Sequence, residues 1–123
     1  MDKKTILVVD DDFGSREILA DVLTDEGYTV VTAGDGYDAL KKMQAWKHFD
    51  LCILDIRLPG MDGVTTLKMI KKTLPQAQAI MITGYSVEDL IREALVSGAY
   101  TCLHKPFDFK EMLELVKKLL FTE

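Results

Sequence analysis

The chain has 123 residues, of which 48% are hydrophobic and 28% charged, a profile that fits one compact domain with a real core and excludes disordered or collagenous classes. Lys and Arg number 15 against 20 Asp and Glu, a formal charge of −5, which argues against direct nucleic-acid binding, where clustered basic residues face phosphates. A domain of this length buries roughly two-thirds of its unfolded surface, so it needs neither a disulfide nor a metal merely to fold.

The first residues, Met1-Asp2-Lys3-Lys4, lead into an apolar run too short for a signal peptide or a membrane span. Cys52 and Cys102 form no CxxC pair and sit inside apolar runs, as small core hydrophobes do. The expectation is a cytoplasmic protein with no membrane contact and reduced thiols.

Short apolar runs begin near Thr5, Tyr28, Leu51, Ala79 and Tyr100, and each is followed by a segment with apolar residues at helical spacing. Strand then helix, five times over, predicts an α/β fold: a doubly wound parallel sheet with helices on both faces. Ile6-Leu7-Val8-Val9 and Leu51-Cys52-Ile53-Leu54 are continuously apolar and belong in its centre. The first helix carries the stripe Ile18, Leu19, Val22, Leu23 and ends near Glu26, before Gly27. The second follows the turn Gly34-Asp35-Gly36 and rests on Ala39, Leu40 and Met43, with Trp46 closing its apolar face. Val64, Leu67, Ile70 and Leu74 supply the third, and Pro75 prevents its continuation. Ser86 with Asp89, and Asp108 with Glu111, have capping-box spacing ahead of the last two helices. Their stripes are Leu90, Ile91, Ala94, Leu95 and Met112, Leu115, Val116, Leu119, Leu120. With no linker or repeat, residues 1–123 are expected to form a single domain, and a chain that stops directly after the fifth helix holds no obvious output domain.

Parallel strands point one way, so the residues after each apolar run collect along one edge, where open α/β folds place ligands. Those residues are Asp10-Asp11-Asp12, Asp55, Thr83-Gly84 and His104-Lys105-Pro106. Clustered carboxylates repel one another, and hard oxygen donors with little His or thiolate suit Mg²⁺. Asp55, alone at the end of a central strand, is the natural nucleophile toward a phosphoryl group. The acids after the first strand are better suited to holding the metal, Lys105 adds positive charge, and Thr83 offers a hydroxyl donor beside a glycine that leaves room. Asp12 reads as the cap of the first helix. Each feature alone is ordinary turn chemistry; their convergence at one rim makes the case.

These residues resemble the response-regulator receiver domains of two-component signalling, over residues 4 to 121. The likeness rests on Ile6-Leu7-Val8-Val9-Asp10-Asp11, Leu54-Asp55, Leu58-Pro59-Gly60-Met61-Asp62-Gly63, Ile82-Thr83-Gly84 and Lys105-Pro106-Phe107. The resemblance implies a flavodoxin-like (βα)5 sheet in order 2-1-3-4-5 and a cis Lys105-Pro106 bond. It implies Asp55 as phosphoacceptor, Mg²⁺ held by Asp10, Asp11, Asp55 and the Arg57 backbone carbonyl, and a phosphoryl bound by Lys105 and Thr83. It implies a histidine kinase or histidine phosphotransfer protein as donor, a downstream partner the sequence does not name, and a homodimer on phosphorylation. It implies a signalling phosphoacceptor with no separate turnover substrate. Arg57 and Tyr85 occupy positions that in receivers screen the phosphoryl from water. One departure is Cys102, which stands where receivers usually carry an aromatic switch residue. His48 and His104 suit structural or solvated roles rather than phosphodonation. Two rival readings are a phosphohydrolase with an aspartate nucleophile, using the D-x-D of Asp10-Asp11-Asp12, and an FMN-binding flavodoxin-like module. The latter lacks a Ser/Thr/Gly phosphate loop after the first strand.

Overall fold

Period-two alternation within unbroken apolar runs builds two cores from one sheet. Leu7, Val9, Cys52, Leu54 and Met81 face one side and pack with Met43, Leu67, Ile70 and Ala94. Ile6, Val8, Ile53, Ile80 and Ile82 face the other and pack with Leu19, Leu23, Met112 and Val116. The computed structural model describes residues 3–46, 48–85 and 87–121. Its elements are β1 (Thr5–Val9), α1 (Phe13–Asp25), β2 (Thr29–Ala33), α2 (Gly36–Trp46), β3 (Leu51–Asp55), α3 (Gly63–Thr73), β4 (Gln78–Thr83), α4 (Glu88–Val96), β5 (Thr101–His104) and α5 (Phe109–Phe121). All strand pairs are parallel and the order is β2-β1-β3-β4-β5, as the resemblance implies.

Register decides what meets at the carboxyl edge. Val9 lies opposite Leu54, Asp55 opposite Ile82, and Thr83 opposite His104. The next residues, Asp10 and Lys105, are therefore carried to the end of β3, where Asp55 stands.

Helix boundaries follow the capping chemistry. Asp12 accepts from Ser15 N at 2.8 Å, Asp62 from Thr65 N at 2.8 Å and Asp108 from Lys110 N at 2.9 Å. Gly27, with φ of 98°, closes α1 where a side chain would be strained. Ser86, the expected cap of α4, lies outside the described residues. The apolar stripes need three corrections. Ile18 is exposed, because Leu19 and Leu23 already turn α1 onto the sheet and Ile18 is rotated toward the rim of a groove with Phe107 and Phe109. Leu95 is exposed because α4 rests on the sheet through Ala94, with Leu90 and Ile91 half-buried beside it. Trp46 is half-exposed and tilts against Phe49, which fills the core in its place.

Cys52 is buried and Cys102 half-buried, both free. Burial pushes the Cys52 thiol up to about 12, the state of an inert core group. His48 is exposed, its Nε2 lying 2.9 Å from Asp50 Oδ1, and His104 is exposed at the end of β5. No helix among the described residues is long and apolar enough to cross a membrane.

Gly63 starts α3 directly behind the site. Its amide donates to the Ile56 carbonyl at 2.7 Å, and a Cβ there would lie 2.1 Å from the Asp55 carbonyl oxygen and 2.7 Å from Ile56 Cα. Backbone atoms of a central strand cannot yield cheaply. Gly63→Ala is expected to destabilise by at least about 3 kcal/mol, whereas Gly27→Ala, strained in φ but open in space, should cost about 1 kcal/mol. Urea midpoints at constant slope check both values.

Candidate functional site

Asp10, Asp55 and Lys105 arrive from three strand ends and meet through one ammonium. Lys105 Nζ donates to Asp55 Oδ2 at 2.8 Å and to Asp10 Oδ2 at 2.9 Å. Asp10 and Asp55 are buried, at 2% and 5% exposure. Their other oxygens are also bound: Asp10 Oδ1 accepts from Asp12 N at 3.0 Å, and Asp55 Oδ1 from Arg57 N at 2.9 Å. Buried charges persist only with this degree of pairing. Lys105 is placed by its amide, which donates to the Thr83 carbonyl at 2.7 Å, and its bond to Pro106 is cis.

Asp11 stands exposed at the rim, and one carboxylate oxygen from each of Asp10, Asp11 and Asp55 lies within 4.8 Å of the others. Three carboxylates against one ammonium leave surplus negative charge. Hard oxygen donors without imidazole or thiolate fit a hard divalent cation. Asp12 does not join them. Its carboxylate caps α1, and the bonds from Ser15 hold its carboxyl below the usual range. The D-x-D reading thereby loses its second acid, and carboxylates beside the end of β1 oppose the phosphate of a flavin mononucleotide.

A cleft of ≈ 630 Å³ opens over this centre, lined by Asp11, Asp55, Arg57, Gly84, Tyr85 and Lys105 among others. The Arg57 guanidinium lies 4.9 Å from the centre of the Tyr85 ring and forms one wall with it. Gly84 also lines the cleft, and a Cβ there would make only ordinary contact, 3.9 Å from Lys105 Cδ. Two expected site residues, Asp10 and Thr83, do not line the cleft. Thr83 is fully buried, and its hydroxyl is engaged within its own turn, accepting from Tyr85 N at 3.1 Å and donating to Tyr85 O at 3.2 Å. Sequence reasoning missed two contributors. Gly63 closes the stretch Leu58–Gly63 on which the family likeness rests, but its role, the close backbone approach, shows only in the structure; Arg16, whose Nη1 donates to the Asp10 carbonyl at 2.8 Å, leaves no signal beyond being an arginine early in α1.

Burial is the largest influence on Asp55 and raises its carboxyl above the usual range. The Lys105 and Arg57 bonds oppose this without cancelling it, and the charge of Asp10 adds to it. For Lys105 burial works against the ammonium, yet the bonds and charges of Asp55 and Asp10 outweigh it and the pKa rises. The site holds its positive charge firmly and its central negative charge at a cost.

Fold and site together define a doubly wound α/β domain with an acidic, single-lysine centre at the carboxyl edge of its sheet. Residues 6–117 match the family model described as response regulator receiver domain. The chain is 39% identical over 120 residues to sporulation initiation phosphotransferase F of Bacillus subtilis, covering 98% of this chain and 96% of that protein. It is 46% identical over 118 residues to transcriptional regulatory protein ZraR of Klebsiella oxytoca, covering 95% of this chain but only 26% of that longer protein. Among solved structures it is similar to a chain of the CheX-CheY-BeF3-Mg+2 complex from Borrelia burgdorferi, with TM-score 0.86, 34% identity and coverage of 94% of this chain and 88% of that one. The chain belongs to the response regulator receiver domain family.

The charge balance is open to test in metal-free buffer. Lys105→Met leaves Asp10 and Asp55 buried without their shared cation; with Lys105 itself 26% exposed, the loss should fall below the about 3–5 kcal/mol of a fully buried pair and is read by urea unfolding. Asp55→Asn should act oppositely. A carboxyl whose folded pKa is raised costs stability as pH climbs from the unfolded value through the folded one. Asp55→Asn should therefore match the parent chain at acid pH and melt higher near neutrality, the gap opening across that window.

Proposed function

We propose that residues 1–123 act as one receiver domain in which Asp55 accepts a phosphoryl group from a phosphohistidine. The shared ammonium of Lys105, 2.8 Å from Asp55 and 2.9 Å from Asp10, carries this reading, because it draws the nucleophile and the acid cluster into one pocket. An Asp55 carboxylate oxygen attacks phosphorus, a new O–P bond forms, and the P–N bond breaks with its electron pair going to the imidazole, which retains or takes up a proton as it leaves. Lys105 then faces the phosphoryl oxygens, and Thr83 is the hydroxyl positioned to turn from Tyr85 toward them. Arg57 and Tyr85 wall the cleft and limit the approach of water to the acyl phosphate.

Mg²⁺ is the cation proposed for Asp10, Asp11, Asp55 and the Arg57 backbone carbonyl; when bound it neutralises charge developing on the phosphoryl oxygens. The all-oxygen cluster within 4.8 Å supports this choice, and so does the similar Borrelia burgdorferi chain, whose structure is that of a complex with BeF3 and Mg+2. The donor proposed is a histidine kinase or histidine phosphotransfer protein, and the product is a changed surface rather than a released compound. A homodimer formed on phosphorylation would use the apolar strip of Leu95, Val96 and Tyr100 exposed along α4 and the start of β5.

Incubation with Mg²⁺ and a small phosphodonor such as acetyl phosphate should label the chain to about one phosphoryl per molecule, a stoichiometric acceptor rather than a turnover enzyme. Asp55→Asn should abolish the hydroxylamine-sensitive label, and EDTA should suppress it. Unchanged labelling of the variant, read by intact mass, would overturn the assignment of Asp55.

A further inference from the structure

The Asp10 backbone is tied from both sides. Its amide donates to the Ala33 carbonyl at 3.2 Å, and its carbonyl accepts from Arg16 Nη1 at 2.8 Å. The first bond belongs to the sheet; the second comes from a helix side chain with a place made for it. The guanidinium carbon lies 5.3 Å from the centre of the Phe13 ring. Gly34 leaves the space opposite, where a Cβ would come within 3.2 Å of Arg16 Nη1. Arginine suits this niche better than lysine, since a planar guanidinium can stack on a ring while one of its fixed N–H groups reaches a carbonyl. The Asp10 carbonyl also sets the plane of the peptide from which Asp11 departs. Asp11 is exposed at the rim, and that peptide sets the direction in which its side chain leaves the backbone.

We propose that Arg16 is a positioning residue for cation capture: it fixes the Asp10–Asp11 peptide so that both carboxylates address the cation jointly with Asp55. The inference rests on the reading of Asp10, Asp11 and Asp55 as metal acids. Its distinguishing feature is a sign. Removing a positive charge beside an acid cluster strengthens cation binding by Coulomb's law alone, whereas loss of positioning weakens it.

The test is Mg²⁺ titration by calorimetry on the full chain at fixed ionic strength, with thermal unfolding followed in parallel. Arg16→Ala is expected to weaken Mg²⁺ binding about tenfold, in line with other groups that orient metal ligands, and Arg16→Lys, which keeps a donor, to recover part of that. Gly34→Ala, which presses on the guanidinium and leaves the charge in place, should weaken binding by less and stays informative if Arg16→Ala fails to fold. The double variant should bind like Arg16→Ala alone, since both changes act through one side chain. Tighter binding by Arg16→Ala, a loss below about threefold, or additive effects in the double variant would overturn the proposal. If the parent chain takes up Mg²⁺ while Arg16→Ala is unaltered, only the role of Arg16 falls; if the parent takes up none, the metal reading of the three acids falls with it.

Discussion

One ammonium shared between two buried carboxylates is the interaction on which the site depends. Two carboxylates about 5 Å apart repel by roughly 3 kcal/mol at an effective dielectric near 20, and Asp10 and Asp55 bear this repulsion at only 2% and 5% exposure. Lys105 offsets it while keeping one edge of the cluster open to the cleft. Replacing a buried ion pair by hydrophobic side chains of similar volume is often neutral or stabilising, so folding alone gives the three charges little reason to be here. Three strand ends that each look like an ordinary turn form a single electrostatic unit, and Asp55 within it remains harder to ionise than a free carboxylate.

The rest of the domain holds that unit rigid. β3 lies in the middle of the sheet, paired on both sides, and all five of its residues are buried. Asp55 therefore cannot drift without displacing the cores on both faces. Behind it, Gly63 brings α3 against the β3 backbone at a distance that admits no side chain, and the Gly63 amide bonds to Ile56. The Arg57 amide then reaches back to Asp55 Oδ1. Precision at the carboxylate comes from backbone contacts, with the side-chain pairing superimposed on it.

Much of this is legible in the sequence because it is written in periodicities and caps. The unbroken apolar run of β3, the Asp12 and Asp108 caps and the glycine after α1 each report a local need that the fold then meets. Strand order is different: alternating strands and helices are compatible with several orders, and only the likeness to a family supplied 2-1-3-4-5. The stripes misplaced Ile18, Leu95 and Trp46 because spacing identifies a face without fixing which of two neighbouring residues turns inward; that is settled by packing, and for Trp46 by Phe49, three residues on, which takes the core position in the loop after α2. The Arg57–Tyr85 wall, the Arg16 contact with Asp10 and the closed turn of Thr83 join residues through geometry that no spacing rule encodes.

Cys102 gives the switch problem a definite form. In a receiver with an aromatic residue at that position, movement of the threonine can be coupled to rotation of a ring; here the side chain is a small thiol, half-buried against the core of the α2–α4 face. What Thr83 demonstrably holds is the backbone of Tyr85, through two contacts of its hydroxyl. For that hydroxyl to meet a phosphoryl oxygen, those contacts must be exchanged for a charge-assisted bond, which is roughly twice as strong as a neutral one. The exchange frees the turn that carries Tyr85, and Tyr85 in turn stacks on Arg57. On the proposed reading of Thr83, the elements such an exchange would disturb are the Tyr85 backbone and its cation–π contact with Arg57, and that reading needs no ring at position 102. Inverting a 1:99 equilibrium takes about 5.5 kcal/mol, more than one exchanged hydrogen bond supplies, so the exchange at Thr83 is only part of the switch proposed for this site; among the described residues Lys105 is the group that bonds both acids.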